Sequence, residues 1–362
     1  MTARSSSPAA IEKKKTQAAK RGKKNNRRRK RALLILILMV LVIACLAGLA
    51  VYLYIKISRD YDTPVDYQVP AAEASDDYDP FKLETEESYA DKLVVSENNV
   101  NRESVTLTGN NEHMLLFNLE TKEPLIATGI YDQCYPASLT KLMTAYCVRK
   151  YGDPDQKVTM TEEDLDLMNG AQSSGLQVGD TLTCDQLLHI MLVYSGNDAA
   201  LALARTVSGS VSAFVDIMNK EAQRIGMTGT SYVNPTGLHD DNHYTTPYDI
   251  YLIMNTIQNE YPELNEISQQ SQYIVEYTTA AGQAASFALY ATDEYLTGQR
   301  QLPEGLTILQ SKTGTTDEAG ACLSLLLQNS KGVPYAAIIT GAGDHELLYQ
   351  DMTALLKKIP QD

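Results

Sequence analysis

The longest apolar run of the chain covers residues 32–55, where 24 successive positions carry no charged side chain. As a helix, this run would be about 36 Å long, which is enough to cross the hydrocarbon core of a bilayer. A cleaved signal peptide has a shorter apolar region, and a buried core helix alternates with polar residues. We therefore predict a transmembrane anchor over residues 32–55.

Apolar residues at intervals of three and four predict helices beyond this run. One apolar stripe follows a proline and consists of Leu139, Leu142, Met143 and Tyr146. A second consists of Leu187, Leu188, Met191 and Leu192, and further helices are predicted over residues 199–207 and 212–225. Residues 159–162 and 183–186 each have the spacing of a capping box, which marks a helix start.

Strands are predicted where turn residues flank short apolar segments: residues 113–117, 124–127, 273–277, 306–314, 322–328 and 335–340. A closing helix is predicted over residues 344–358. The first two strands should form a hairpin, and the last three should pair as antiparallel neighbours. We expect a mixed α/β domain of the α+β type, in which helices from both ends of the domain cover an antiparallel sheet.

Charge divides the chain at the predicted anchor. Residues 1–31 contain thirteen Lys or Arg and one acid, which leaves 18 of the 31 bases and 44 of the 45 acids for the remainder. The basic tail should be disordered and cytoplasmic, and everything after the anchor should lie outside the cell. The acidity of that outer part argues against nucleic acid as its partner.

The domain plan follows from these shifts in composition. Residues 56–102 are rich in Asp, Glu, Pro and Tyr and are predicted to form an acidic extracytoplasmic linker. Residues 103–362 are sufficient for one domain with a substantial core. We expect any catalytic chemistry to reside in residues 103–362.

A serine and a lysine stand three residues apart at the start of the first predicted helix. Ser138 and Lys141 would share one helix face, so that hydroxyl and amine can meet. A serine hydroxyl needs a neighbouring base, and a lysine serves as one only where burial or a second cation favours the neutral amine. Unpaired N–H groups at the helix start suit a developing oxyanion. The pair is a candidate nucleophile and base, although Ser-x-x-Lys alone also arises by chance.

Two further short motifs carry polar groups suited to the same site. Ser195 and Asn197 flank a glycine in a tight corner between two predicted helices, which presents a hydroxyl and an amide. A cation, small hydroxyl residues and a glycine follow one another at the end of a predicted strand: Lys312, Thr313, Gly314 and Thr315. They could bind a carboxylate and leave room for a substrate backbone. Each motif alone is an ordinary turn or strand end; together and in this order they indicate one site.

Two histidines four residues apart form the only arrangement in the sequence that suggests a metal. His239 and His243 could bind zinc if they lay on one helix, but Pro235 and Gly237 just before them disfavour a helix, and no third ligand has suitable spacing. We expect a hydrogen-bonded loop here, with no metal and no cofactor.

The chain resembles the serine-type D-alanyl-D-alanine carboxypeptidases. These are low-molecular-weight penicillin-binding proteins of the peptidase S11 type, in the β-lactamase/transpeptidase superfamily. The resemblance rests on Ser138-x-x-Lys141, Ser195-x-Asn197 and Lys312-Thr313-Gly314, in this order, and covers roughly residues 111–356. It implies a β-lactamase/transpeptidase-like fold with an antiparallel sheet, flanking terminal helices and a helical subdomain.

The resemblance also implies catalytic roles. Ser138 would attack the carbonyl of the penultimate D-alanine and form an acyl-enzyme. Lys141 would accept the serine proton, kept neutral partly by the charge of Lys312. Ser195 would pass that proton to the departing amine.

Substrate-binding roles follow in the same way. Asn197 would hold Lys141 and a substrate amide. Lys312, Thr313 and Thr315 would grip the terminal carboxylate. The backbone N–H groups of Ser138 and Thr315 would form the oxyanion hole.

The implied substrate is a peptidoglycan stem peptide ending in D-Ala-D-Ala, with β-lactams as covalent inhibitors, and the implied location is the outer face of the cell membrane. The same residues would serve a D,D-endopeptidase, a transpeptidase or a β-lactamase. For a β-lactamase, no carboxylate is evident that would activate water, because residues 162–164 are more simply the acidic first turn of a helix. A different alternative is a wall-binding or β-lactam-sensing protein that acylates without turnover.

Overall fold

The computed structural model describes residues 92–105, 113–168 and 170–361, which belong to one compact unit, Thr85–Asp362. The predicted basic tail, membrane anchor and most of the acidic linker lie outside the described residues. In the described part, no single helix has both the length and the hydropathy to cross a bilayer. Asn197–Ser208 and Val211–Arg224 meet that criterion only as a pair, with an 86° bend between them.

The strands of the described residues are β1 Val100–Asn101, β2 His113–Asn118, β3 Glu123–Thr128, β4 Lys157–Thr159, β5 Thr181–Thr183, β6 Gln272–Thr278, β7 Ala284–Tyr290, β8 Thr307–Thr316, β9 Gly320–Gln328 and β10 Pro334–Ala342. The α-helices of the same residues are α1 Lys141–Tyr151, α2 Glu162–Leu165, α3 Cys184–His189, α4 Asn197–Ser208, α5 Val211–Arg224, α6 Pro247–Glu260, α7 Glu263–Ser268 and α8 His345–Leu356.

Six strands form an antiparallel sheet in the order β1-β3-β2-β10-β9-β8. Successive side chains of a strand point to opposite faces, and in β2 both faces are buried. Leu115 and Phe117 join the core beneath the helices α1, α4 and α6, whereas Met114 and Leu116 join a second core beneath α8. The sheet is therefore a middle layer, which confirms the predicted mixed fold with an antiparallel sheet covered by helices.

Most of the predicted elements are confirmed, including the hairpin β2–β3, the three carboxyl-terminal strands and the closing helix α8. One helix start was wrong. Thr159 does not cap a helix, because it pairs with Thr181 in the ladder between β4 and β5. The capping box forms two residues later, between Thr161 and Asp164, where the backbone leaves the strand in an extended conformation.

A second sheet, with the strand order β4-β5-β6-β7, was mostly missed by the sequence pattern. Only β6 was predicted. Its partner β7 reads Ala-Ala-Ser-Phe-Ala-Leu-Tyr, in which small residues hide the alternation that identifies a strand.

The last part of the predicted linker packs on the domain. Val94 is buried, its N–H donates to the Tyr251 hydroxyl at 2.9 Å, and its carbonyl accepts from the Tyr248 hydroxyl at 2.9 Å. Val100 pairs with Ala127 at the edge of the six-stranded sheet. The folded domain therefore begins before residue 103, which corrects the predicted end of the linker at residue 102.

Candidate active site

A tight turn presents the candidate nucleophile. Ala137–Thr140 form a 3-10 turn that runs directly into α1. Leu139 is buried on the core side of this turn, whereas Ser138 stays half-exposed. Ala137 has φ +46°, a left-handed conformation that costs a side-chain-bearing residue roughly 1 kcal/mol or more. This strain lies immediately before the serine, so contacts with the rest of the fold must hold the turn in place.

Lys141 lies next to the serine, as the sequence spacing predicts. Its side chain is fully buried, and its Nζ lies 2.8 Å from Ser138 Oγ, 2.8 Å from Asn197 Oδ1 and 2.7 Å from the carbonyl oxygen of Thr236. The last two oxygens can only accept hydrogen bonds. A neutral amine has two N–H donors for them, which leaves its lone pair facing the serine hydroxyl.

The electrostatics favour the neutral amine. Burial holds the pKa of Lys141 well below its usual value, the positive charge of Lys312 lowers it further, and Asp198 opposes both. Desolvation disfavours the charged form of a lysine, and a second cation adds repulsion. Lys141 is therefore suited to accept the proton of Ser138.

A second lysine and serine meet across the site. Lys312 Nζ donates to Ser195 Oγ at 3.0 Å and to the carbonyl of Thr313 at 2.9 Å. Burial lowers the pKa of Lys312 to about 7, against the opposing charge of Asp293. The site thus contains two buried amines, each in contact with one serine hydroxyl.

The backbone around Ser195 departs from a regular helix. After α3, residues Ile190–Tyr194 form a π-helical turn, and Ser195 follows with φ +68°. Such π-turns are frequent at functional sites, because the extra residue redirects the chain. Here it brings Ser195 back towards Lys312 before α4 begins at Asn197.

The loop segment 170–174, which borders the cleft beside Ser138, is held in place by the first residues of α4. Asn197 N–H donates to the carbonyl of Gln172 at 2.9 Å. The Asp198 carboxylate accepts from Ser173 Oγ at 3.0 Å and from the N–H and Oγ of Ser174 at 2.8 and 2.6 Å. The loop is therefore tied to the same helix start that positions Asn197.

Strand β8 forms the opposite wall. A Cβ at Gly314 would lie only 2.9 Å from Ser138 N, so the glycine allows the strand to lie against the nucleophile turn rather than only leaving room for a substrate. Thr313 is buried, and its Oγ1 contacts Thr292 Oγ1 at 2.5 Å. Thr315 is exposed, and its Oγ1 lies 3.1 Å from His345 Nε2.

An open cleft of about 630 Å³ lies between these walls. Its described lining consists of Ser138, Met168, Gly170, Ala171, Gln172, Asn197, Gly237, Leu238, His239, Thr315, Thr316, Asp317 and Glu318. Three of the predicted site residues, Ser138, Asn197 and Thr315, thus face the cleft. Lys141, Ser195, Lys312 and Thr313 are buried immediately behind it.

The two candidate metal ligands lie in a loop that hydrogen-bonds to the nucleophile turn. His243 is buried, and its Nε2 lies 2.8 Å from Thr140 Oγ1. His239 faces the cleft, with its ring edge-on to Tyr135. Within the part of the chain that the structure describes, no group of three or more His, Cys, Asp or Glu side chains could hold a metal ion.

Sequence reasoning missed several residues that complete the site. Thr236 contributes a backbone carbonyl, so its residue type carries no signal. Asp293 and His345 contact the β8 strand from segments far away in sequence. His243 was noted only as a candidate metal ligand.

Comparison with known proteins agrees with this geometry. Residues 99–343, more than half of the chain, match the family model of peptidase S11, D-alanyl-D-alanine carboxypeptidase. D-alanyl-D-alanine carboxypeptidase DacF of Bacillus subtilis is 33% identical over 143 residues, which are 38% of this chain and 36% of DacF. The D-alanyl-D-alanine endopeptidase of Pseudomonas aeruginosa is 33% identical over 189 residues, 52% of this chain and 57% of that protein.

The fold has solved counterparts. The structure of the DD-transpeptidase of Streptomyces K15 superposes with a TM-score of 0.61 at 25% identity, covering 70% of this chain and 98% of the transpeptidase. The matched part of this chain spans 36% of the length of DacF and 57% of that of the endopeptidase. On the family match and the convergence of its three motifs, the chain belongs to the D-alanyl-D-alanine carboxypeptidase family, peptidase S11.

Proposed function

We propose that this protein is a serine D-alanyl-D-alanine carboxypeptidase that removes the terminal D-alanine from peptidoglycan pentapeptide stems and is acylated by β-lactams. The observation that carries the proposal is the environment of Lys141. Two oxygens that can only accept occupy its N–H groups, and the remaining direction of Nζ faces Ser138 Oγ at 2.8 Å. A serine so placed in an open cleft is an activated nucleophile.

The proposed chemistry proceeds through an ester on Ser138. As its proton moves to Lys141 Nζ, Ser138 Oγ bonds to the carbonyl carbon of the penultimate D-alanine. The N–H groups of Ser138 and Thr315 would stabilise the oxyanion. When the C–N bond breaks, Ser195 gives its proton to the departing amine and takes up the proton held by Lys141, so that D-alanine leaves and the Lys141 amine is neutral again. Water then cleaves the ester and restores the serine hydroxyl.

Substrate orientation is assigned to the β8 wall. Thr315 offers a hydroxyl in the cleft, and the buried ammonium of Lys312 provides positive charge behind Ser195. A carboxylate at the end of the substrate would be attracted to this wall, which places the penultimate carbonyl near Ser138. Asn197 faces the cleft and would also hold a substrate amide.

The test uses the full-length chain in detergent with a muramyl pentapeptide. The wild type should release D-alanine at steady state, penicillin should block the release, and Ser138→Ala should form no acyl adduct detectable by mass spectrometry. Lys141→Met should fold but acylate at least about a thousand-fold more slowly, because it lacks the base.

Other outcomes overturn the proposal. Stoichiometric acylation without D-alanine release would identify a β-lactam-sensing protein. Rapid turnover of penicillin without D-alanine release would identify a β-lactamase. Preferential cleavage of a cross-linked stem dimer would identify an endopeptidase, and joining of two stems would identify a transpeptidase.

We also propose that residues 32–55 anchor the protein in the cell membrane as a single span, with residues 1–31 in the cytoplasm and the catalytic domain outside. The support is the uncharged run preceded by thirteen basic residues. Alkaline phosphatase fused after residue 91 should be active in cells, because this enzyme requires an oxidising compartment. An inactive but stable fusion would contradict the proposed orientation.

A further inference from the structure

A single loop makes four contacts with the nucleophile turn and the first residues of α1: two with α1 and two with the turn itself. Thr236 contributes a carbonyl to Lys141, and Pro235 contributes one that accepts from Thr144 Oγ1 at 2.7 Å. Gly237 packs so closely that a Cβ there would lie 1.8 Å from the carbonyl oxygen of Ala137. The fourth contact is made by His243. We refer to residues 233–243 as the clamp loop.

We propose that His243 is a positioning residue for the acylation reaction, which acts through Thr140 to hold the strained turn that presents Ser138. The proposal rests on the acyl-transfer function proposed above. His243 contacts Thr140, at the other end of the nucleophile turn from Ser138, and does not line the cleft. Its influence on the reaction is therefore indirect.

The hydrogen bonds define one tautomer of His243. Thr140 Oγ1 lies 2.8 Å from the carbonyl oxygen of Ala137 and 2.8 Å from His243 Nε2, and Val233 N–H donates to His243 Nδ1 at 3.2 Å. Since Nδ1 accepts from a backbone N–H, the ring proton must be on Nε2. Nε2–H then donates to Thr140 Oγ1, and the threonine hydroxyl donates to Ala137.

This chain of bonds ends at the strained residue. Ala137 has φ +46° and directly precedes the nucleophile, so its carbonyl orientation fixes the direction of the Ser138 N–H. A left-handed alanine persists only where its surroundings hold it there. Thr140 and Gly237 together provide that restraint, and His243 fixes the hydroxyl of Thr140.

The imidazole must be neutral for this arrangement, because a protonated Nδ1 could not accept from Val233. Burial lowers the pKa of His243 to about 4. Asp240 opposes the change, whereas the nearby His239 favours the neutral ring further. The relay is therefore intact at neutral pH.

The experiment measures the rate of acylation by fluorescent penicillin and the melting temperature of full-length variants in detergent. Thr140→Val removes the hydroxyl at nearly constant volume and should slow acylation on the order of ten- to a hundred-fold. Thr140→Ser restores the hydroxyl and should stay within about threefold of the wild type. Thr256→Val is the matched control, because Thr256 is also buried and donates to a carbonyl, that of Leu252, within α6. It should lower the melting temperature but leave acylation unchanged.

A double-mutant cycle tests the route through Thr140. His243→Gln is chosen because its amide can donate and accept, so the variant retains the burial and part of the hydrogen bonding. Because His243 acts on Ala137 only through the hydrogen bond to Thr140, Thr140→Val should slow acylation much less in the His243→Gln background than in the wild type.

Two results would overturn the positioning role: acylation of Thr140→Val at the wild-type rate, or multiplicative effects in the double variant. If His243→Gln does not fold, the Thr140 and Thr256 variants still decide the matter. Failure of the wild type to be acylated would instead reject the proposed function.

Discussion

Lys312 and Ser195 are 117 residues apart in sequence, yet the lysine Nζ lies 3.0 Å from the serine Oγ. This contact makes Lys312 the second amine of the site, beside Lys141. Two buried ammonium groups repel each other, so one amine is kept neutral more readily than both are kept charged. The charge of Asp293 raises the pKa of Lys312, and Lys141 is in contact with the nucleophile. We therefore assign the neutral state to Lys141 and the proton to Lys312.

This assignment predicts a bell-shaped pH dependence of acylation. Burial and the charge of Lys312 depress the pKa of Lys141, so its amine becomes available as a base well below the pH at which an ordinary lysine loses its proton. The rate should rise as Lys141 loses its proton. It should fall again as the pH rises through about 7, where Lys312 loses the charge that we propose orients the substrate. Stopped-flow acylation by penicillin between about pH 5 and 10 measures both limbs, and a rate that continues to rise at the alkaline end would contradict the assignment.

Asp293 should set the position of the alkaline limb. Its carboxylate accepts from Ser311 Oγ at 2.6 Å and from the Tyr349 hydroxyl at 3.0 Å, and its charge raises the pKa of the neighbouring Lys312. Asp293→Asn should therefore move the alkaline limb about one pH unit lower. The exposed Asp155 provides the control, because Asp155→Asn changes the net charge equally at a remote surface. Equal pH profiles for the two variants would exclude this role of Asp293.

Lys312 should cost stability while serving the reaction. A lysine whose pKa falls from 10.5 in the unfolded chain to about 7 in the fold contributes least at low pH, and its contribution rises as the pH increases through that window. Lys312→Met should thus be inactive, yet melt at a higher temperature than the wild type near pH 6. Its advantage should shrink towards pH 10. An advantage that is constant across the pH range would show that packing, rather than charge burial, determines the difference.

The spacing of Ser138 and Lys141 predicted that these two side chains meet. That the three motifs form one site was predicted from their order, which resembles that of a known family. Ser138 and Lys141 are three residues apart, and the helical stripe alone places them together. Nothing in the spacing of Ser195 and Lys312 indicates that they meet, because the fold brings the corner between α3 and α4 next to β8 from 117 residues away in the sequence. The motif order supplied that information.

The parts that were not predicted have physical reasons. The helix α6 was not predicted, although the sequence marks its start: Thr246 caps the helix by accepting from Asp249 N–H at 3.1 Å, and Pro247 occupies its first turn. By contrast, Asp293 lies in a segment without apolar periodicity. Its role could not be predicted, because it depends on contacts with Ser311 of β8 and Tyr349 of α8 that form only in the folded domain. The carbonyl of Thr236 could not be inferred from residue type.

The close packing of Gly237 predicts a large effect of a small substitution. At Gly237→Ala, a left-handed φ of +84° and a Cβ 1.8 Å from the carbonyl oxygen of Ala137 both oppose the native backbone. Gly282→Ala is the matched control, because Gly282 has φ +78° but no atom within 4 Å of the added Cβ. The control should lose about 1 kcal/mol of unfolding free energy. Gly237→Ala should lose at least about 3 kcal/mol and most of its acylation rate. Chemical denaturation measures the unfolding free energy, and penicillin labelling measures the acylation rate. If Gly237→Ala and Gly282→Ala lost equal amounts of each, backbone strain alone would explain the effect at position 237.

His345 should improve binding of the substrate carboxylate through Thr315. The described lining of the cleft contains Asp317 and Glu318 but no lysine or arginine, so a terminal carboxylate depends on hydroxyl and N–H donors there. His345 Nε2 lies 3.1 Å from Thr315 Oγ1, and an N–H donated at this point leaves the threonine proton free to donate to the substrate. His345→Ala should raise KM for a D-Ala-D-Ala peptide roughly three- to tenfold with little change in kcat. His345→Gln, whose amide can donate in the same way, should restore much of the loss. The same peptide with a terminal carboxamide should show no difference between His345 and alanine, since no carboxylate is bound; an equal loss for both peptides would contradict the role.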